Sequence, residues 1–494
     1  MSQGKRSPKE RAKKREQQRG NSHRTTNKES LSALLRWFLP NDDIFAKLKF
    51  HGNTKWLPGS LVCLALYWSW SEARNLTDAF TEALGYCRTI SAGSPLSTYQ
   101  GFMGAMVRWS PTFIKLLCPL LQDRMQEIGG KFREIAGWVP IGFDGSRSTA
   151  PRTKSNEKAF CAPHYGKGQT ARYRKKKSKG MRRKKNQKNK AQPQQPQAWI
   201  TMMWHMGLRL PWMWRLGPSN SSERAHVIDM INVGKFLKNT LFCGDAGFVG
   251  YPIWSAIVKR GNHFLVRVGA NVSLISQSAD YRLLKNGIVL CWPKATMLAN
   301  QPPLRLRLVK ARIGKTRVWL LTSVLDPAEL TPQQMIKLYK MRWGIEVEFR
   351  GLKQTLDRAK LRCRNDQRLL AELDWSIMAM AIAELFALKE QLSNKRSKSV
   401  KDQKPPDPVK RSLANTMRAI RYCLRNPNEV PPPGHHLPDQ LRLAVTDSYQ
   451  RKAPKKARYR PPNPDKKPLG DPQLRKLTAA EKKKLRELKE KLAA

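Results

Sequence analysis

TPQQMIKLYKMRWGIEVEFRGLKQTL, residues 331–356, is the most sharply patterned helix in this 494-residue chain. Thr331 is a natural N-cap, and Pro332 suits the first helical position. Asp326 and Glu329 lie just upstream. At about 100° per residue, Tyr339, Arg342, Glu346 and Lys353 fall near 0°, 300°, 340° and 320°. They share one stripe about 60° wide, and Glu348 falls about 180° away. Such a stripe has an ordinary reading, a solvated face with i,i+4 pairing. It has a sharper one, a row of functional side chains facing a single site.

Upstream, residues 136–388 read as α/β. Trp138 to Phe143 is a short apolar run ending at Asp144. Ala198 to Met206 and Leu210 to Trp214 are two strand candidates around Gly207-Leu208-Arg209. A helix follows over Ser221 to Phe236, then a strand from Leu241 to Gly244 that ends at Asp245. A helix containing Tyr251 to Lys259 and a strand from His263 to Val268 come next. The order is strand, strand, strand, helix, strand, helix, strand. Asp144 and Asp245 each follow an apolar run, where an unpaired buried charge costs several kcal/mol. Each is either a turn residue at a strand exit or a ligand at the carboxyl end of an open sheet. Residues 271–320 are β-like, with runs Gly287 to Trp292, Leu304 to Val309 and Thr316 to Thr322.

Charge sets the partner class. Lys and Arg number 93 against 37 Asp and Glu, a formal net charge of +56. Self-repulsion on this scale calls for a polyanion and argues against an enzyme of small neutral substrates. Roughly +36 of the excess sits in three segments: 1–29, 172–190 and 389–494. The first and third read as a basic tail and a Pro/Lys-rich tail, mostly disordered, the latter with a possible helix over 477–493. The second opens a basic loop, 172–197, that closes on a Gln/Pro linker. Solubilising tails are the ordinary alternative. Nucleic acid fits better, because all three segments carry one sign.

Residues 30–135 read as a helical domain. Leu31, Leu34, Leu35, Trp37 and Phe38 recur at helical spacing, and Ser97-Thr98 opens another helix. The domain is either a DNA-binding bundle or a plain helical one. No stretch reaches the roughly 18–20 apolar residues of a membrane span. The best run, Leu61 to Trp70, is a buried helix. Residues 1–29 lack the apolar core of a secretory leader. The eight Cys are single, and Cys161 and His164 have no second metal half-site. A reducing compartment is expected.

The long helix also carries a known spacing. Tyr339-x-x-Arg342-x-x-x-Glu346-x-x-x-x-x-x-Lys353 resembles the signature around the catalytic Glu in the insertion-sequence-four group of DDE transposases. Arg342-Trp343 and Glu346-x-x-Phe349 agree with it, and the helix follows two strand-end Asp. The resemblance runs from about residue 30 to residue 390. It implies a ribonuclease H-like, retroviral-integrase-like mixed-sheet core over 136–388, with a β-rich insertion near 271–320. It implies Asp144, Asp245 and Glu346 as the catalytic triad and metal ligands. Tyr339, Arg342 and Lys353 would hold DNA phosphates. Trp292 would be the insertion tryptophan that stacks on a flipped base, its alternative being an ordinary sheet residue. The lysine-rich segment 172–190 and the tail after 390 depart from the family pattern.

Three carboxylates suit hard cations with oxygen ligands, hence Mg²⁺, or Mn²⁺ in its place. Two ions would serve both end cleavage and strand transfer. The expected partners are transposon inverted-repeat ends and target DNA, with a homodimer in the synaptic complex and no membrane. The expected location is cytoplasmic, at the nucleoid. Rival readings are a domesticated or inactive transposase that only binds DNA, a basic RNA-binding or packaging protein, and a non-transposing nuclease of the same fold.

Overall fold

The structure is a computed structural model, and it describes residues 25–54, 56–90, 96–161, 195–276, 286–314, 316–393, 408–446 and 469–493. The basic segment 172–190 lies outside them.

Four helices come first: α1 (Asn27–Phe38), α2 (Pro58–Trp70), α3 (Leu76–Ile90) and α4 (Tyr99–Ile128). Thr26 and Glu29 close a capping box on α1, so the helix begins inside the segment read as a tail. Leu31, Leu34, Leu35 and Phe38 are its buried face. Thr98 caps α4 by accepting from the Gly101 amide.

The α/β part holds β1 (Val139–Thr149), α5 (Lys154–Phe160), β2 (Gln197–His205), β3 (Leu210–Gly217) and α6 (Glu223–Val233). It continues through β4 (Thr240–Gly244), α7 (Tyr251–Lys259) and β5 (His263–Val268). Then come β6 (Ser273–Ser276), β7 (Asn286–Cys291), α8 (Lys294–Leu298), β8 (Leu304–Ile313) and β9 (Thr316–Thr322). All join one ten-stranded sheet in the order β10-β6-β7-β8-β9-β5-β4-β1-β2-β3, where β10 is Gln473–Arg475. β1, β2 and β3 are antiparallel, and β1, β4 and β5 run parallel. This 3-2-1-4-5 arrangement is the ribonuclease H-like one. The β-rich segment continues the same sheet outward, because β9 pairs antiparallel with β5.

The last helices are α9 (Pro332–Met341), α10 (Gly344–Gln354), α11 (Asp366–Leu392), α12 (Leu413–Arg425), α13 (Leu437–Arg442) and α14 (Ala479–Ala493). α11 is apolar on all sides and almost wholly buried, as a central helix must be. It packs against α2, α4, α12, α13 and β3. Trp70 donates to the Ala379 carbonyl at 2.9 Å, and Trp375 to Ser110 Oγ at 2.8 Å. The hydrophobic core therefore runs unbroken from the first helices into the sheet, with no break at residue 135.

Three expectations need correction. Residues 331–356 form two helices, because the chain turns at Arg342-Trp343 before Gly344. β1 does not end at Asp144. It continues to Thr149 because β2 accompanies it to the Thr149–Gln197 pair. Residues 389–494 are not mostly a loose tail where they are described. Met417, Ile420, Leu437 and Leu441 join the main core, and β10 adds a parallel strand to β6. Among the described residues no helix is long and apolar enough to cross a membrane.

Candidate active site

The sheet creates the site by ending one pairing while another continues. β1 pairs with β4 only as far as Gly142 opposite Cys243. Asp144 and Asp245 each lie two residues beyond that pair, at matching levels of neighbouring parallel strands. Side chains alternate with period two, so each Asp continues the row of its own strand. Asp245 is held by a tight turn, its Oδ1 accepting from the Gly247 amide at 2.7 Å.

Asp144 is the most constrained of the three carboxylates. Its Oδ1 accepts from the Gly145 amide at 2.8 Å, and Arg342 Nη1 lies 3.3 Å from Oδ2. Burial pushes the Asp144 carboxyl up; the Gly145 amide and Arg342 oppose this, while Asp245 and Glu346 add to it. Asp245 and Glu346 therefore both act electrostatically on Asp144.

Glu346 is exposed in the first turn of α10, which packs on β1. Lys353, two turns later, donates to Ser146 Oγ on β1 at 2.7 Å. Burial pushes the Lys353 amine down. Arg342 and Lys353 thus tie both ends of α10 to β1, and Glu346 is carried between them. Glu348 points away. It is buried against Glu384 of α11, and burial together with that neighbour raises its carboxyl well above the usual range.

Residues 143–382 match the family described as the transposase DDE domain. The transposase InsG of insertion sequence element IS4 from Escherichia coli (strain K12) is 30% identical over 147 residues, 28% of this chain and 33% of that protein. Over these residues the chain is similar to DDE transposases of the IS4 kind. The match spans about a third of that relative's length. A cryo-EM structure of a piggyBac transposase synaptic complex with hairpin DNA aligns at 11% identity and TM-score 0.37, covering 85% of this chain and 86% of that one. The fold rests on the strand order, not on that likeness.

Within the DDE domain, the other expected DNA contacts fare unevenly. Tyr339 is 5% exposed, with the Arg342 guanidinium 5.8 Å from its ring centre. Arg342 is buried and engaged with Asp144, so it offers no free face to a phosphate in this state. Trp292, the residue after the end of β7, is packed and not open to a base. It is 2% exposed, donates to the Gln301 carbonyl at 2.8 Å, and forms a small core with Ile275 and Leu290. Leu485 and Leu488 of α14 pack on that core, which closes the tryptophan off.

The donors around Asp144 are all carboxylate oxygens, which suits a hard divalent cation. Their mutual repulsion is what such a cation would relieve. Among the described residues, no three of His, Cys, Asp and Glu stand close enough together to hold one ion. DDE transposases generally use divalent metals. Sequence reasoning missed Glu223, whose charge also lies near Asp144 and Asp245. An acid in the first turn of a helix is common enough to carry no signal of its own in the sequence.

Proposed function

We propose that this chain cuts DNA at transposon ends and joins the freed ends to target DNA. The reading rests on one observation: Asp144 and Asp245 occupy matching levels beyond the last β1–β4 pair, and Glu346 acts on the same Asp144. Asp144, Asp245 and Glu346 would hold Mg²⁺, or Mn²⁺ in its place, as two ions. When bound, such ions activate an oxygen nucleophile and stabilise the leaving oxygen of an in-line phosphoryl displacement.

The protein's own residues orient that chemistry. Lys353 stands beside Ser146 on the Glu346 side and would hold a backbone phosphate. Arg342 would pass from Asp144 to a phosphate once a cation takes over that carboxylate. Tyr339 would then serve mainly to support Arg342. These contacts fix register and do not read bases. Sequence recognition would fall to the helices of residues 30–135. The basic segments 1–29, 172–190 and 389–494 would add a salt-sensitive, nonspecific grip. Action at paired ends implies a homodimer on DNA.

The test is a donor plasmid carrying the element's ends, incubated with the full chain and Mg²⁺. Cleavage at the ends followed by a joined product supports the reading. Cleavage without joining points to a nuclease. Binding without cleavage points to an inactive transposase-derived binding protein.

A further inference from the structure

The chain passes from α9 to α10 on tightened bonds. The amides of Trp343, Ile345 and Glu346 donate three residues back, to the carbonyls of Lys340, Arg342 and Trp343, at 3.3, 3.1 and 3.2 Å. A short tightened stretch inside a helical run marks a hinge or a strain that something else holds. Gly344 sits in this stretch and is buried. It is not among the positive-φ glycines, so backbone conformation does not demand glycine there. The demand comes from space. A Cβ at Gly344 would run into Cη2 of the Trp204 ring, stand 2.8 Å from its Cζ3 and lie 2.9 Å from Arg209 Nη1.

Trp204 is a fixed stop. It lies on β2 directly opposite Gly142 of β1, and it is fully buried. The Arg209 guanidinium lies 5.1 Å from its ring centre. Arg209 is held in turn by Arg411, which donates to the Leu208 carbonyl at 3.0 Å and to the Arg209 carbonyl. Residues paired directly across two strands share a sheet face. Gly142 lies two residues before Asp144 on β1, on that same face. Arg342 crosses this bare glycine, its Cγ 3.8 Å from where a Cβ at Gly142 would stand, and ends at Asp144. The ring, the two glycines and the arginine thus form one chain of contacts from β2 to Asp144.

We propose that Trp204 is a positioning residue for DNA cutting. Its ring, seated on the Gly344 backbone, sets the break between α9 and α10. The break in turn aims Arg342 at Asp144 and places Glu346 on the cutting side. This rests on the reading of Asp144 and Glu346 as catalytic acids. Trp204 is fully buried and acts only through the helix break.

The test pairs Gly344→Ala with Trp204→Phe, which removes the outer ring atoms facing Gly344, in the full chain. Gly344→Ala alone should lower plasmid cleavage by about a hundredfold while end binding persists, the scale of a small displacement at the reacting groups. The double variant should regain about tenfold, because residues in contact do not act additively. A second readout does not depend on cutting. Denaturation of Arg342→Ala, Asp144→Asn and the two combined measures how strongly that pair is coupled. The coupling should be present beside Gly344, vanish with Gly344→Ala and return when Trp204→Phe is added. Additive losses of cleavage, or coupling unchanged by Gly344→Ala, overturn the proposal. A Gly344→Ala chain that loses melting temperature, end binding and cleavage together, with no recovery in the double variant, reduces the contact to core packing and also overturns it. Coupling that follows Gly344 and Trp204 in a wild-type chain that cuts no DNA leaves the hold of Trp204 on Arg342 standing and overturns the reading of the acids instead.

Discussion

Arg342 reaches from the break between α9 and α10 to Asp144, Nη1 to Oδ2 3.3 Å, with only 4% and 21% of the two side chains exposed. The pair joins the two halves of the signature across 198 residues of chain. It gives a half-buried carboxylate a counter-charge before any cation or DNA arrives. Arg342→Ala should therefore leave the half-buried Asp144 without its arginine and raise its carboxyl further. The expected loss of stability is on the order of 1–3 kcal/mol. Chemical denaturation of the two proteins at one pH measures it. Arg342→Lys should recover part of the loss but not the forked geometry.

Asp144→Asn, Asp245→Asn and Glu346→Gln should each lower strand cleavage by on the order of a thousandfold or more while end binding persists. Glu348→Gln should cleave almost as wild type. Its carboxyl is already driven toward the neutral acid by burial and Glu384, and the amide preserves that shape and charge. Plasmid cleavage and gel-shift assays on the same preparations separate the two effects. A dead Glu348→Gln beside an active Glu346→Gln would reverse the assignment of the helix face.

Lys353→Met should reduce cleavage by about ten- to a hundredfold, through the loss of a positioned cation beside the strand that carries Asp144. Ser146→Ala removes only the acceptor of the 2.7 Å hydrogen bond. It should cost about 0.5–1.5 kcal/mol of stability and much less activity. Equal loss of activity in both would place the effect in the hydrogen bond and not in the charge.

Asp374 on α11 predicts a pH dependence. Trp214 Nε1 donates to its Oδ1 at 2.8 Å, yet burial pushes the carboxyl up to about 7. The unfolded carboxyl titrates near about 3.9. Between about pH 4 and pH 7 the folded chain therefore keeps a proton that the unfolded chain has released. The contribution of this group falls as pH rises through that window. Asp374→Asn, uncharged throughout, should melt higher than wild type at pH above about 7, and the two should converge near pH 4. The gap should be on the order of 2–4 kcal/mol.

Trp292→Ala should loosen the C-terminal segment selectively. The tryptophan is shared between the sheet edge and α14, and truncating a buried Trp costs about 3–5 kcal/mol. Limited proteolysis should then cut within 469–493 while residues 96–161 stay protected. Leu485→Glu, on the other side of the same small core, should have a similar effect.

Much of the fold was legible because local patterns coincide with what packing requires. α7 and β5 lie where apolar periodicity put them. β7, β8 and β9 lie within a few residues of the runs read from the sequence. The stripe of Arg342, Glu346 and Lys353 was visible because a helical period places its residues on one face, and the chain stays near helical through the break at Arg342. The break itself was hidden, as Gly344 alone is tolerated within a helix. Trp292 was misread because an exposed and a buried tryptophan look alike in sequence. Its burial depends on α14, nearly two hundred residues away along the chain.

What the sequence determined by itself was the set of chemical groups: the acids after two apolar runs, the stripe around Glu346, and the basic excess that demands a polyanion. Tertiary structure decided which of those groups meet. The level of Asp144 against Asp245 follows from where β1–β4 pairing stops, and the counter-charge on Asp144 comes from a helix 198 residues away. The approach of Glu223 depends on a missing side chain at Gly145. Strand register and close backbone approach are long-range packing outcomes, and no local periodicity encodes them.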